Sequence, residues 1–259
     1  MSSTSVTPEV PVALELRGVG LAIGGARILE DVSFSVARGE MVGVIGPNGA
    51  GKTTLFNLIS GVLKPTEGEI LLDGASLNSQ SVSQRARAGL GRTFQTSSLF
   101  PGLSIRENVR LAAQAKIGGS LSILKFPRRA DAANQRADEC MAQVGLSKKS
   151  ELRAGDLSHG DKRKVEIAML LATDPSVILL DEPMAGVGSG DVGSLQEIIR
   201  QLNRDSGRTI MMVEHHIDVV LGLADRVAVM HHGKLLAIDE PDAIMANATV
   251  QSAYLGEAV

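Results

Sequence analysis

Tryptophan is absent from this 259-residue chain, tyrosine occurs once, and aromatic residues make up only 2% of it. Platforms that stack single-stranded bases need several exposed rings, so that class of nucleic-acid binding is excluded. The one cysteine, Cys140, excludes an internal disulfide framework and a four-thiolate zinc site. It falls in a helical stretch and reads as a small buried apolar residue rather than a reactive thiol. Neither sign of charge dominates: 26 Lys and Arg face 29 Asp and Glu for a net charge of −3. Wrapping of a polyanion by bulk charge is therefore not expected. No apolar run approaches the ~18 residues that a bilayer crossing needs. The first dozen residues carry neither the basic nor the apolar segment of a secretory leader. The expectation is a soluble protein of a reducing, cytosolic compartment.

What the chain does contain is 44% hydrophobic residues and 28 glycines. At this length, folding buries roughly three quarters of the unfolded surface, and no staple is required. Residues 1–11 are expected to be flexible. Strand patterns occupy Val12–Leu16, Ser33–Val36 and the short buried run Met41–Ile45. A glycine-rich turn follows, and a helix is predicted from Lys52 to a stop at Gly61. Ile70–Leu72 reads as a strand entering a turn at Asp73-Gly74. From about residue 96 to 157 the composition shifts to Ala, Gln, Arg and Glu at helical spacing, which predicts a helical subdomain inserted into the first unit. Val177–Leu180, ending at Asp181, and Thr209–Val213 are all-apolar. Such runs mark strands covered on both faces, hence a parallel sheet between helices. Arg226–Met230 and Lys234–Ile238 flank His231-His232-Gly233 as a hairpin. Residues 12–257 are expected to form a single α/β domain.

The segment Gly46-Pro47-Asn48-Gly49-Ala50-Gly51-Lys52-Thr53 fits G-x-x-x-x-G-K-[ST], directly after a strand and before a helix. Glycines let successive N–H groups turn inward onto phosphate oxygens, and the helix N-terminus adds partial positive charge. In such a P-loop Lys52 reaches the β- and γ-phosphates, and the Thr53 hydroxyl, with Thr54 beside it, is placed to ligate Mg²⁺. Asp181 closes a buried strand, where a carboxylate can hold the Mg²⁺ shell, and Glu182 can polarise an attacking water. Asp-Glu-Pro taken alone also suits a helix-starting turn. A P-loop is shared by GTPases, kinases, helicases and transport ATPases. No N-K-x-D guanine reader occurs, which weakens the GTPase alternative.

Between the P-loop and Asp181 lies Leu157-Ser158-His159-Gly160-Asp161, followed by a helix through Ala172. This resembles the L-S-G-G-Q signature of ABC (ATP-binding cassette) ATPases. Gln95, after Arg92-Thr93-Phe94, stands at the family's glutamine loop, and His215, after Glu214, at its switch histidine. The ordered set covers about residues 14–257. Asp181–Val187, Val213–Val220, the tail Ala253–Glu257 and a helical insert near residues 115–146 are most similar to importer ATPases for branched-chain amino acids, amides and urea. The resemblance implies a P-loop ABC ATPase core, with an antiparallel N-terminal part and the helical insert. It assigns Glu182, His215 and Gln95 to catalysis, Gly46–Thr54 with Ser158 and Gly160 to ATP, and Thr53, Gln95 and Asp181 to Mg²⁺. Ser158 and Gly160 would face the γ-phosphate held by a second cassette. Gln95 would couple the site to a membrane permease. A substrate-binding protein is implied indirectly, and the location is the inner face of the membrane, peripherally.

Four positions depart from the family pattern. His159 and Asp161 replace a glycine and the glutamine of the signature. Gly188 stands where many cassettes carry an aspartate. Ile23, before Gly24-Gly25, stands where relatives often place an aromatic on adenine. The basic run Lys125–Arg129 suits either a solvated loop or anionic headgroups. The pairs His215-His216 and His231-His232 have no accompanying thiol or carboxylate cluster in the sequence. Two functions remain: the energising subunit of an uptake transporter, and a non-transport cassette acting with soluble assembly partners. A tandem-cassette ribosome factor needs two cassettes and is disfavoured.

Overall fold

The computed structural model describes residues 10–93, 99–117 and 126–255. Gln95 and Lys125 lie outside the described residues, as do Gly256 and Glu257 of the tail.

Strands β1 (Val12–Ile23) and β2 (Ala26–Ala37) form a hairpin. Both run well past the segments expected from alternation. The alternation is broken where the register shifts between Leu16 and Val19 and between Val19 and Leu21, and Gly18 and Asp31 adopt positive φ at those shifts. Each bulge inserts an extra residue and flips the pattern. Strand β3 (Met41–Ile45) leads through a loop into helix α1 (Lys52–Ser60), which is closed by Gly61 in a left-handed conformation. Strands β4 (Glu67–Leu72) and β5 (Ala75–Ser76) complete an antiparallel sheet of order β2-β1-β4-β5.

Helix α2 (Val82–Arg87) and strand β6 (Leu90–Arg92) come next, then helices α3 (Ile105–Ile117), α4 (Phe126–Gln143) and α5 (His159–Ala172). The chain returns through β7 (Val177–Asp181), α6 (Ser189–Arg204), β8 (Thr209–Val213), α7 (Ile217–Leu223) and the hairpin of β9 (Arg226–His231) with β10 (Lys234–Asp239). Helices α8 (Pro241–Ala246) and α9 (Ala248–Leu255) follow. The second sheet has the order β10-β9-β3-β8-β7-β6 and is parallel except for the β10-β9 pair.

The all-apolar runs are explained by two cores, one on each face of that sheet. Met41, Ile45, Ile178, Leu180, Ile210 and Met212 face a core shared with the helices. Val42, Val44, Val177, Leu179, Met211 and Val213 face one shared with α1 and the antiparallel sheet. Successive residues of a strand point to opposite faces, so a strand buried on both sides carries no polar alternation. Helices α3, α4 and α5 join the first core through Ile105, Val109, Ala137, Cys140 and Val165. Cys140 is fully buried there, and desolvation pushes its thiol up to about 11. That thiol stays protonated and inert.

The far end of α1 is held by a residue that pattern reading overlooks. Arg85 is 1% exposed. Its guanidinium donates to the carbonyls of Leu58 (2.6 Å) and Ile59 (2.7 Å) at the end of α1. A cation there satisfies orphan carbonyls and complements the helix dipole, while burial pulls the pKa of Arg85 below its ordinary value. Arg85→Ala is expected to destabilise the fold by about 2–4 kcal/mol, because charged hydrogen bonds and packing are lost together. Urea unfolding of wild type and variant measures it, and a loss under about 0.5 kcal/mol, the scale of a neutral surface change, contradicts the capping role.

Candidate nucleotide site

The order β3-β8-β7 sets the carboxyl ends of three parallel strands side by side. In open α/β sheets ligands bind at those ends. Each strand delivers its own segment there: the P-loop after β3, Asp181-Glu182 from β7, and Glu214-His215 after β8.

In the P-loop, Gly46 has φ 151°. A Cβ there would lie 2.2 Å from the Met230 carbonyl oxygen, so only glycine passes. Lys52, 6% exposed, opens α1, and its Nζ donates to the carbonyls of Gly46 (2.5 Å) and Pro47 (2.9 Å). A cavity of about 340 Å³ is lined by Ile28, residues 48–54, Glu182 and His215. Gly46 and Pro47 border an adjoining cavity of about 240 Å³ with Glu214, His215 and Ile217. Ile23 is 56% exposed and lines neither cavity. The hairpin turn leaves it exposed, and Ile28 on β2 is the apolar side chain from this hairpin that lines the P-loop cavity.

Asp181 is 1% exposed and ion-paired with Arg92, whose Nη2 lies 2.7 Å from Oδ2. The same guanidinium donates to Asn57 and Ser60 of α1, while the Asp181 N–H donates to the Thr93 hydroxyl (3.2 Å). The other carboxylate oxygen, Oδ1, is buried without a hydrogen-bond partner among the described residues. A buried anionic oxygen left free is costly, and a hard cation is the partner it suits. Asp181, with the exposed Thr53 hydroxyl on the cavity, therefore fits Mg²⁺. Gln95, the third residue expected at the metal, lies outside the described residues. Among the described residues no three His, Cys, Asp or Glu form a metal cluster. Mg²⁺ held mainly by phosphates and water does not require one.

Glu182 has φ 50°, a left-handed backbone that non-glycine residues seldom adopt. Its N–H donates to the Val213 carbonyl of β8 (2.9 Å), which holds it there. This turn aims Oε1 at His215, 2.9 Å from Nε2. Glu214, which the sequence reading passed over, is buried directly behind: its carboxylate accepts the Met184 N–H (2.6 Å) and the His215 N–H (3.2 Å).

Ser158 caps α5, accepting the Asp161 N–H (3.2 Å). Gly160 was expected ahead of the helix, but it lies in the first turn. A Cβ there would press on Asp191 at 2.6 Å, so α6 forces a glycine. Asp161 pairs with Lys149 at 2.5 Å, and His159 is exposed beside Gly186. Ser158 and Gly160 do not line the cavity of their own P-loop.

The fold and the loop together define a P-loop ATPase of the cassette type. The sequence profile of the family described as ABC transporter matches residues 29–185. The chain is 39% identical over 250 residues to the high-affinity branched-chain amino acid transport ATP-binding protein LivG of Escherichia coli K12, covering 95% of this chain and 98% of LivG. A crystal structure of a nucleotide-free ATP-binding cassette from an ABC transporter superposes with a TM-score of 0.82 at 29% identity, covering 95% of this chain and 100% of that one. A dimeric cassette bound to ADP and phosphate superposes with a TM-score of 0.74 at 28% identity, covering 88% and 98%. This chain belongs to the ABC transporter family, and its fold is that of the family's ATP-binding cassettes.

Proposed function

We propose that the chain is the ATP-hydrolysing subunit of an ABC importer for branched-chain amino acids or related small polar solutes. The observation that carries the enzymatic part is the Glu182–His215 contact on the P-loop cavity. The likeness to LivG supports the solute class.

In this reading residues 46–54 wrap the triphosphate with backbone N–H groups. Lys52 exchanges the loop carbonyls of Gly46 and Pro47 for β- and γ-phosphate oxygens. Thr53, Asp181 and Gln95 would hold Mg²⁺, which when bound would neutralise phosphate charge. Glu182 orients the attacking water and takes its proton, while His215 donates toward the γ-phosphate. The dimeric relative supports a pair of cassettes; in this reading Ser158 and Gly160 of each meet the nucleotide of the other. Asp161 then does not repel that phosphate as a free charge, since Lys149 offsets it. Helices α3 and α4 form a helical subdomain that docks on permease subunits, with Gln95 as the link. No helix among the described residues is long and apolar enough to cross a membrane. In this reading the permease subunits supply the spans, and this subunit sits at the inner face. A substrate-binding protein supplies the solute from outside.

Purification of the tagged chain from detergent-solubilised membranes tests the importer assignment. Multi-span permease subunits, with a second cassette, are the expected companions. Soluble assembly factors alone overturn it in favour of a non-transport cassette.

A further inference from the structure

Among the described residues, Glu214 is the one buried carboxylate at the site to which the proposed chemistry gives no task. It is 3% exposed and lies one residue beyond β8. Its Oε1 accepts the N–H of Met184, three residues beyond β7 on the neighbouring segment, while its Oε2 accepts the N–H of the next residue, His215, and lies 3.7 Å from His216 Nδ1. It also borders the cavity behind Gly46 and Pro47 without a hydrogen bond to either. The strands themselves align Asp181 with Val213, and the Glu182 N–H bonds to Val213. Past that point the ladder ends, and the two outgoing segments have only side chains to keep them in register.

We propose that Glu214 is a positioning residue for ATP hydrolysis: it clamps the segment after β7 to the segment after β8, so that Glu182 and His215 meet. The inference rests on the assignment of Glu182 and His215 to catalysis. A carboxylate is the side chain this task needs, because each of its oxygens is an acceptor and neither carries a hydrogen. Glutamine in its place accepts one N–H and turns a donor onto the other. Either the Met184 segment loses its tie, or the amide donor faces the His215 N–H and turns the His215 backbone, and in both cases the Glu182–His215 contact loosens. A misplacement of about 1 Å in such a constellation can cost about 10²-fold in rate. The P-loop grip on the triphosphate comes from β3 and α1 and is left in place.

The experiment uses the full chain with Glu214→Gln as the isosteric variant and Glu214→Ala as the second. Turnover is measured against ATP concentration, and binding with a non-hydrolysable ATP analogue. The expected result for Glu214→Gln is a fall in kcat of about 10²-fold, with KM and analogue affinity within about threefold. In a His215→Ala background the same substitution is expected to slow the residual turnover far less, since the two residues act as a unit. An unchanged kcat per folded molecule, with only a lowered melting temperature, makes Glu214 a packing acceptor and overturns the proposal. An equal loss in both backgrounds overturns it as well. Normal turnover of Glu182→Gln would instead overturn the underlying site assignment. A dead Glu182→Gln beside a fully active Glu214→Gln removes only the clamp.

Discussion

Glu182→Gln is expected to bind ATP with near wild-type affinity and to lose turnover by about 10²–10⁴-fold, the range for removing one positioned acid–base group. That factor corresponds to about 3–5 kcal/mol of barrier. The amide keeps the shape of the carboxylate and can still meet His215 Nε2 across the 2.9 Å contact. What disappears is the negative charge that orients water and accepts its proton. Lys52, Asp181 and the P-loop backbone are untouched, so nucleotide binding persists. Because bound ATP is no longer spent, the cassette pair accumulates, and sedimentation with ATP should show a dimer that is absent without it. A dimer that forms only when a related cassette is added identifies a heterodimer. Near-normal phosphate release by the variant contradicts the assignment of Glu182.

Lys52→Ala acts at the earlier step. The ammonium of Lys52 is nine-tenths buried, at the start of α1, with two loop carbonyls as partners. Transfer of those donors to phosphate oxygens makes charge-assisted bonds, which contribute about 1.5–3 kcal/mol each. Their loss is expected to weaken ATP affinity about 10²-fold, since 1.4 kcal/mol is tenfold. Isothermal titration with ATP separates the two variants: Glu182→Gln binds and stalls, whereas Lys52→Ala fails to bind at working concentrations. An unchanged affinity in Lys52→Ala contradicts the phosphate cradle.

The P-loop was legible because its chemistry is local. Contiguous backbone N–H groups, a lysine and a threonine carry the grip on phosphate, so an eight-residue pattern between a strand and a helix suffices. The buried strands were legible for a similar reason. A strand covered on both faces is apolar along its run, and Met41–Ile45, Val177–Leu180 and Ile210–Val213 all show it. The helix stop at Gly61 followed from the need for a left-handed residue.

Other features depend on strand order. Glu182 and His215 are 33 residues apart, and Arg92 and Asp181 are 89. The sequence alone could place Asp181, Glu182 and His215 on a list, by resemblance, but not Arg92, and it could not bring either pair within 3 Å. The left-handed turn at Glu182 has no local signal, because glutamate does not favour it. The bond from its N–H to Val213 imposes it from the neighbouring strand. Glu214 reads in sequence as one more acidic residue, and only parallel pairing of β7 with β8 reveals it as a shared acceptor. Arg85 likewise reads as a surface charge until α2 lays it against the end of α1. Ile23 is exposed at the hairpin turn while Ile28 on β2 lines the P-loop cavity, a difference that the hairpin decides and residue type does not. Short-range backbone chemistry can be read along one dimension. Pairs that meet only because parallel strands end together are decided by the sheet.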